Sequence, residues 1–268
     1  MIAGISMMKD EEDVAGDVIR HMAEEGLDLI IVADNMSNDN TRHELEKAKA
    51  EVACEVIIID DPVTAYLQSE KMTALAQRAA ERGAIWVIPF DADEVWFSAD
   101  SIGVYLDSLA GNVGQVQAEL YNHFSTSLDG KEGSPFSRLQ WRQVKPGALP
   151  KVAFRWNENV VIEQGNHAVQ NVPGYSISGL GIKNGLEIRH FPYRSWEQFK
   201  NKVINGSRAY AETKGPLNQG AHWRSYGEIL ERHGEEALKE VFDTWFHFLS
   251  PVDAGLVHDP APVLRWRR

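Results

Sequence analysis

Two rhythms of apolar and polar positions alternate over the first third of the chain. Residues 1–8, 27–33, 55–59 and 84–90 are short, nearly continuous apolar runs, as expected of strands buried on both faces of a parallel sheet. Between them the period changes. Val14, Val18, Ile19 and Met22 recur at helical spacing, and segments 41–50 and 65–82 read as two further helices, each laying one face on a core. The acidic residues 10–13 suit a first helical turn. Thr41 is placed to cap the second helix, and Gly26 and Gly83 to end the first and third. Repeated strand–helix steps predict an α/β sandwich with a largely parallel sheet.

The middle of the chain loses this regularity. Residues 113–124 read as a long strand, and 125–135, rich in Ser, Gly and charge, as a loop. Runs at 139–144, 151–156, 160–163 and 185–191 are short and separated by Pro, Gly and Asn, which suggests antiparallel additions to the sheet. From Ser195 onward helical spacing returns, with Trp196, Phe199 and Val203 on one face and a further helix around 235–248. Residues 259–268, with two prolines and three arginines, read as an extended tail. The division implied is an α/β unit over 1–194 and a helical extension over 195–268.

Composition narrows the class without naming it. With 268 residues, 43% of them hydrophobic and 25% charged, the chain can bury a sizeable core. A net charge of −12 argues against a generally basic nucleic-acid-binding surface. One cysteine, Cys54, rules out an internal disulfide and reads as a small buried hydrophobe. The N-terminus lacks a basic region followed by a long apolar segment, and no stretch approaches the length of a membrane span. A soluble cytoplasmic protein is the expectation.

The chemistry is concentrated where apolar runs stop. The run 84–90 ends in Asp91, Ala92, Asp93 and Glu94. On an extended backbone Asp91 and Asp93 leave the same face, and two neighbouring carboxylates repel unless a cation or shared proton compensates. A metal site is therefore favoured over an acidic turn. The runs before it end at Asp34 and Asp60, and right-handed crossovers place all three strand ends along one sheet edge.

Three segments carry a family resemblance. Lys9-Asp10-Glu11 follows the first strand. Asp34-Asn35-Met36-Ser37-Asn38-Asp39-Asn40-Thr41 follows the second, and Asp91-Ala92-Asp93 follows the fourth. In this order and at these distances they resemble the "K-N/D-E", "D-N/D-x-S-x-D-x-T" and "D-x-D" segments of glycosyltransferases with the GT-A fold, in the broad family 2 type. Arg189-His190-Phe191-Pro192 resembles a later segment of some branches. Asn40 stands where the family often has Gly.

The resemblance implies a GT-A αβα sandwich with a mixed, mostly parallel sheet, antiparallel strands and a C-terminal helical region. It also implies transfer of a sugar from a nucleotide-diphosphate sugar, a UDP-sugar favoured, to an acceptor hydroxyl, with inversion. Asp93 would be the first ligand of Mn²⁺ or Mg²⁺, since hard oxygen donors suit both. Asp91 would be a second metal ligand or contact the ribose or a metal-bound water, and His190 would be a further ligand tilting the site toward Mn²⁺. Asp34, Asn35, Asp10 and Glu11 would line the nucleotide pocket. The general base for inversion is sought in Glu163 or His167. Trp141, Trp156 and Trp223 could stack on a sugar face or fill the core, the core reading preferred, and Arg194, Lys200, Lys202 and Arg208 read as phosphate contacts or a solvated helix face.

Two other functions stay open. A haloacid-type phosphohydrolase also uses Asp-x-Asp after a strand, although normally the first strand, and with a hydroxyl residue where Glu94-Val95 follow here. A nucleotide- or sugar-binding protein without turnover is the other. The acceptor can be a glycan, a protein side chain or a modified nucleic-acid base.

Overall fold

The computed structural model describes residues 1–63, 65, 67–179, 181, 185–212 and 220–261. Four parallel strands form one half of its main sheet: β1 (Ile2–Met8), β2 (Leu29–Asp34), β3 (Glu55–Asp60) and β4 (Trp86–Pro89). They are linked by α1 (Ala15–Glu24), α2 (Thr41–Glu51) and α3 (Gln68–Glu81). Their order across the sheet is β3-β2-β1-β4. The chain steps outward from β1 to β3 and then returns to the other side of β1.

The packing follows this path. Alternate residues of β2 face opposite cores: Ile30 and Val32 meet Val18, Ile19 and Met22 of α1 with Leu45 of α2, whereas Leu29, Ile31 and Ala33 meet Met72, Leu75 and Ala79 of α3. The outward steps thus place α1 and α2 on one face, and the return step places α3 on the other, as crossovers of fixed hand require. Apolar burial on both faces is why these strands read as unbroken apolar runs.

The other half is mixed, with antiparallel pairs joining it to β4. After β5 (Glu94–Phe97) and α4 (Ile102–Ser108), the long strand β6 (Val113–Thr126) is joined to β4 through β8 (Lys151–Arg155), which is antiparallel to both. α5 (Pro135–Arg138) and β7 (Trp141–Arg142) lie between them in sequence. β9 (Val161–Ile162) pairs only with β10 (Val169–Gln170) and so stays out of the main sheet, contrary to expectation. β11 (Tyr175–Ile177) and β12 (Glu187–His190) run parallel to β6, and β12 also pairs with β5. The αβα sandwich with a mixed sheet, parallel at its centre, is thus observed.

Two long helices follow, α6 (Trp196–Glu212) and α7 (Ala221–Trp245). Phe199 and Val203 pack against Leu238 and Phe242 in a separate apolar cluster. α7 begins well before the expected 235 and breaks helical geometry at Gly234, where φ is 83°. β13 (His247–Phe248) pairs with the end of β6, and β14 (Val257–His258) with β7. Asp259, expected in a tail, binds Arg142 and Arg189; residues 262–268 of that segment lie outside the described residues. Thr41 is the first residue of α2 and not its cap; its hydroxyl bonds Glu11 N and Asp39 instead. No described helix is long and apolar enough to cross a membrane.

Candidate active site

Reversal of the chain's path between β1 and β4 leaves a crevice outside their carboxyl ends, the place where open α/β sheets bind ligands. A cleft of about 570 Å³ occupies it. Met7, Met8 and Lys9 enter from β1, Asn35 from β2, Asp91 to Asp93 from β4, Lys151 from β8, Asn122 from β6 and His190 from β12. α6 and α7 close the opposite side.

The backbone at the acidic cluster is a turn and not an extended strand. Glu94 N donates to Asp91 O at 3.1 Å, and Asp91 N donates to the Glu94 carboxylate at 3.2 Å. The expected shared face of Asp91 and Asp93 is therefore corrected: the turn sends them to different partners. Asp91 accepts from Lys151 Nζ at 2.6 Å and Asn166 Nδ2 at 3.1 Å. Asp93, 3% exposed, accepts from Lys202 Nζ at 2.5 Å, with Arg194 3.8 Å away. Glu94 is fully buried and fixes the turn from below, 2.8 Å from Lys151 and accepting from Trp96 Nε1 at 3.1 Å.

These pairings settle the charges. Burial works against ionising Asp93, but Lys202, His190 and Arg194 overcome it and hold the carboxyl well below its usual range. For Glu94 burial outweighs the adjacent Lys151, and the carboxyl titrates above its usual range. Burial also raises Glu11 despite Arg194 and Lys202. Lys151 is buried and Lys202 half-buried, yet their carboxylate partners keep both ammonium groups above the ordinary lysine value.

Arg194 ties the site together. Its guanidinium, fully buried, donates to both carboxylate oxygens of Asp13, at 2.8 and 2.7 Å, to Glu11 at 2.5 Å and to Phe191 O at 3.1 Å. Asp10, at φ 53°, accepts from Asn38 N and from Asn205 Nδ2, both at 2.7 Å. Ser37, Asp39 and Thr41 accept from the backbone amides of Asp10, Glu12 and Glu11 respectively. The polar residues of the turn after β2 thus hold the loop after β1. Asn35 donates to Asp61 and to Val63 O, and Asp34 accepts from Ser37 N while standing 3.8 Å from Arg42.

Among the described residues, no three His, Cys, Asp or Glu side chains are grouped to hold a metal ion. Two donors do stand together: His190 Nε2 and Asp93 Oδ1 are 3.6 Å apart. His190 Nδ1 donates to Asn122 Oδ1 at 2.7 Å, so Nε2, on the Asp93 side of the ring, is the nitrogen that a cation could take in the neutral tautomer. A buttressed imidazole beside a carboxylate oxygen fits two adjacent positions on a divalent cation, with ligand oxygens to complete the shell. Asp91, turned toward Lys151, is not part of this pair.

His167 also reaches the cleft. Its Nδ1 donates to Pro150 O at 2.9 Å, which leaves Nε2 as an acceptor. Burial, helped by Lys151, lowers its pKa, so the ring is neutral at pH 7. Gly165, at φ 79°, lies so close that a Cβ there would come within 2.7 Å of the imidazole. Glu163 is exposed, bonds Gln170 and does not line the cleft.

Lys151 has no counterpart among the expected site residues. It opens an antiparallel strand, which starts at the edge where parallel strands end, so no strand-end signal precedes it. Lys202 and Arg194 have equal weight in the site, whereas Lys200 pairs with Glu197 and Glu235 at the surface and Arg208 is exposed. Trp141 and Trp156 lie away from the cleft. Trp223 packs against the apolar cluster of α6 and α7 and also lines the cleft.

No protein-family model matches the chain, and no curated protein does. Among solved structures it is similar to glucosyl-3-phosphoglycerate synthase from Mycobacterium tuberculosis in complex with Mn²⁺, UDP and glucosyl-3-phosphoglycerate. That match has 16% identity and a TM-score of 0.32, over 45% of this chain and 44% of that one. It is also similar to S. aureus TarS (10% identity, TM-score 0.40, covering 87% and 43%) and to HddC from Yersinia pseudotuberculosis (8%, 0.40, covering 75% and 97%). The chain spans less than half the length of the first two, and each likeness is slight.

Proposed function

We propose that this chain is a metal-dependent glycosyltransferase of the GT-A type. It moves a sugar from a nucleotide-diphosphate sugar, a UDP-sugar in preference, to an acceptor hydroxyl with inversion. The observation that carries this reading is the pairing of Asp93 Oδ1 with His190 Nε2 at 3.6 Å in a cleft at the sheet's switch point. The sequence resemblance at residues 9–11, 34–41 and 91–93 supports it.

Asp93 and His190 would hold Mn²⁺ or Mg²⁺. When bound, the ion supplies Lewis-acid neutralisation of the leaving diphosphate. Lys202 and Arg194 keep Asp93 ionised and add fixed positive charge beside the same position. Asn35 and the loop around Asp10 and Glu11 line the nucleotide end, with Asp34 supporting the turn behind them. Asp91, held by Lys151 and Asn166, faces the cleft beside this site.

His167 is the general base. As the acceptor oxygen forms its bond to the anomeric carbon and the bond to the diphosphate breaks, the hydroxyl proton passes to His167 Nε2. The Nδ1–H bond to Pro150 O fixes the tautomer this transfer needs.

The reading is tested by thermal shift with UDP, with and without Mn²⁺, beside a sugar-transfer assay on Asp93→Ala. A UDP-induced rise in Tm that depends on Mn²⁺ is expected, with transfer abolished and the fold intact in the variant. Full transfer by Asp93→Ala sinks the metal role. Binding without turnover in the unaltered protein points instead to a binding protein, and a trapped aspartyl-phosphate on Asp91 to a phosphohydrolase.

A further inference from the structure

Beyond the carboxylates the cleft changes chemistry. Among the described residues, the side that α6 and α7 contribute past Lys202 consists of Asn205, Gly206, Ala209, Tyr210, His222 and Trp223, with no acid, lysine or arginine. The absence of a side chain at 206 matters. A Cβ there would lie 3.1 and 3.2 Å from Cγ and Cδ2 of Trp223, so the indole lies directly against the helix backbone. His222 stands 4.5 Å from the same indole, ring centre to ring centre, and burial lowers its pKa, which keeps it uncharged at neutral pH. Among the described residues, the four lysines that line the cleft all have partners: Lys9 on Asn35 O and Met36 O, Lys71 on Asp61, Lys151 on Asp91 and Glu94, and Lys202 on Asp93.

We propose that this wall is the acceptor subsite, and that it takes a neutral pyranose whose apolar face rests on Trp223. The inference rests on the transferase reading for the donor half of the cleft and narrows the acceptor to a carbohydrate. An aromatic face carries the negative lobe of its quadrupole, and the C–H bonds on one face of a pyranose present the matching positive edge. An uncharged aromatic wall with a few polar groups beside it is how a cleft orients such a ligand. A phosphorylated or carboxylated acceptor would need a free cation on this wall; among the described residues the lining lysines are already engaged, and Arg224, stacked on the Tyr210 ring, donates to Tyr210 O. A peptide would need exposed backbone partners, which a helix-lined wall of aromatic side chains does not offer.

The experiment uses the full chain with UDP and Mn²⁺ present. Saturation-transfer NMR is recorded with methyl glycosides of glucose and N-acetylglucosamine, with 3-phosphoglycerate, and with a Ser/Thr-containing peptide. Transfer to ring protons of at least one glycoside is expected, and none above background to the other two. Trp223→Ala should weaken glycoside binding about tenfold or more, while Trp223→Phe, which keeps an aromatic face, loses less. The UDP-induced shift in Tm should be the same in all three proteins, which also shows that the variants fold. Unchanged glycoside binding in Trp223→Ala overturns the proposal, as does preferential binding of the phosphorylated acid or the peptide. Loss of UDP binding in the unaltered protein, with Trp223-dependent glycoside binding retained, counts against the transferase reading while supporting the sugar wall.

Discussion

Lys202 Nζ and Asp93 Oδ2 are 2.5 Å apart although they are 109 positions apart in the chain. The pair joins the last element of the site to be made to the turn at its centre, and leaves the other oxygen of Asp93 facing His190. Removing one member of a buried pair leaves an uncompensated charge. Lys202→Met should therefore lower the unfolding free energy by about 2–3 kcal/mol, less than for a fully buried pair because Lys202 is partly exposed. Lys202→Met combined with Asp93→Asn should recover part of that loss. Urea denaturation of the two variants measures both, and a double variant less stable than Lys202→Met would contradict the pairing.

His167 and Glu163 separate cleanly by position. Losing a general base costs about 10²–10⁴ in rate, so His167→Gln should lower kcat by that order with little change in the KM for donor. Glu163→Gln should stay within about twofold, because its carboxylate bonds only Gln170 at the surface. The depressed pKa of His167 keeps the base neutral somewhat below pH 6.5, so the acid limb of kcat should begin below that value and be absent from the residual rate of His167→Gln.

Gly165→Ala tests the same imidazole without touching it. The substitution adds a methyl 2.7 Å from the His167 ring at a residue with φ 79°. Strained backbone of this kind costs on the order of 1–3 kcal/mol, and the ring must turn from its bond to Pro150 O. The expected outcome is a fall in kcat beyond the fall in stability. A variant with normal kcat would show that the ring's position is not critical.

A second histidine should dominate the mild-acid stability. His123 is fully buried, stacks on Phe191 at 4.5 Å between ring centres, and donates from Nδ1 to Leu139 O. Burial lowers its pKa to about 3. Its unfolded form takes up a proton near pH 6.5 while the folded form does not. Folding stability therefore falls as pH drops below about 6.5 and keeps falling toward pH 3, by up to about 1.4 kcal/mol per pH unit for one such group. His167 and His222 add the same sign over narrower ranges. His123→Gln, which retains a donor for Leu139 O, should flatten the Tm profile between pH 6.5 and 4.5. An unchanged slope would contradict this account.

Much of the sandwich is legible from β1 to β4 because each strand there is apolar on both faces and each helix on one, so local period and global burial agree. The same logic finds Asp91 and Asp93, since an acidic cluster at the end of such a strand is out of pattern. It fails at their geometry, because a two-residue spacing does not reveal that Glu94, buried beneath, folds the segment into a turn. It fails also at the counter-ions. Lys151 lies 60 positions from Asp91 and opens a strand whose direction is set by tertiary pairing. Lys202 lies on a helix whose charges look alike until packing selects one. Trp223 is legible only as an alternative: a tryptophan suits a sugar face or a core equally, and only the place of Gly206 opposite it shows the ring lying along the cleft.

Arg194 bonds Asp13 and Glu11 across more than 180 positions of chain, and this has a consequence for timing. A nascent chain emerging from the ribosome can complete the four parallel strands and present Asp91, Asp93 and Glu94 long before residues 187–205 exist. Until then Asp93 lacks His190, Arg194 and Lys202, and the loop after β1 lacks its anchor. The site is therefore incomplete until residues 187–205 have been made and packed against the strands.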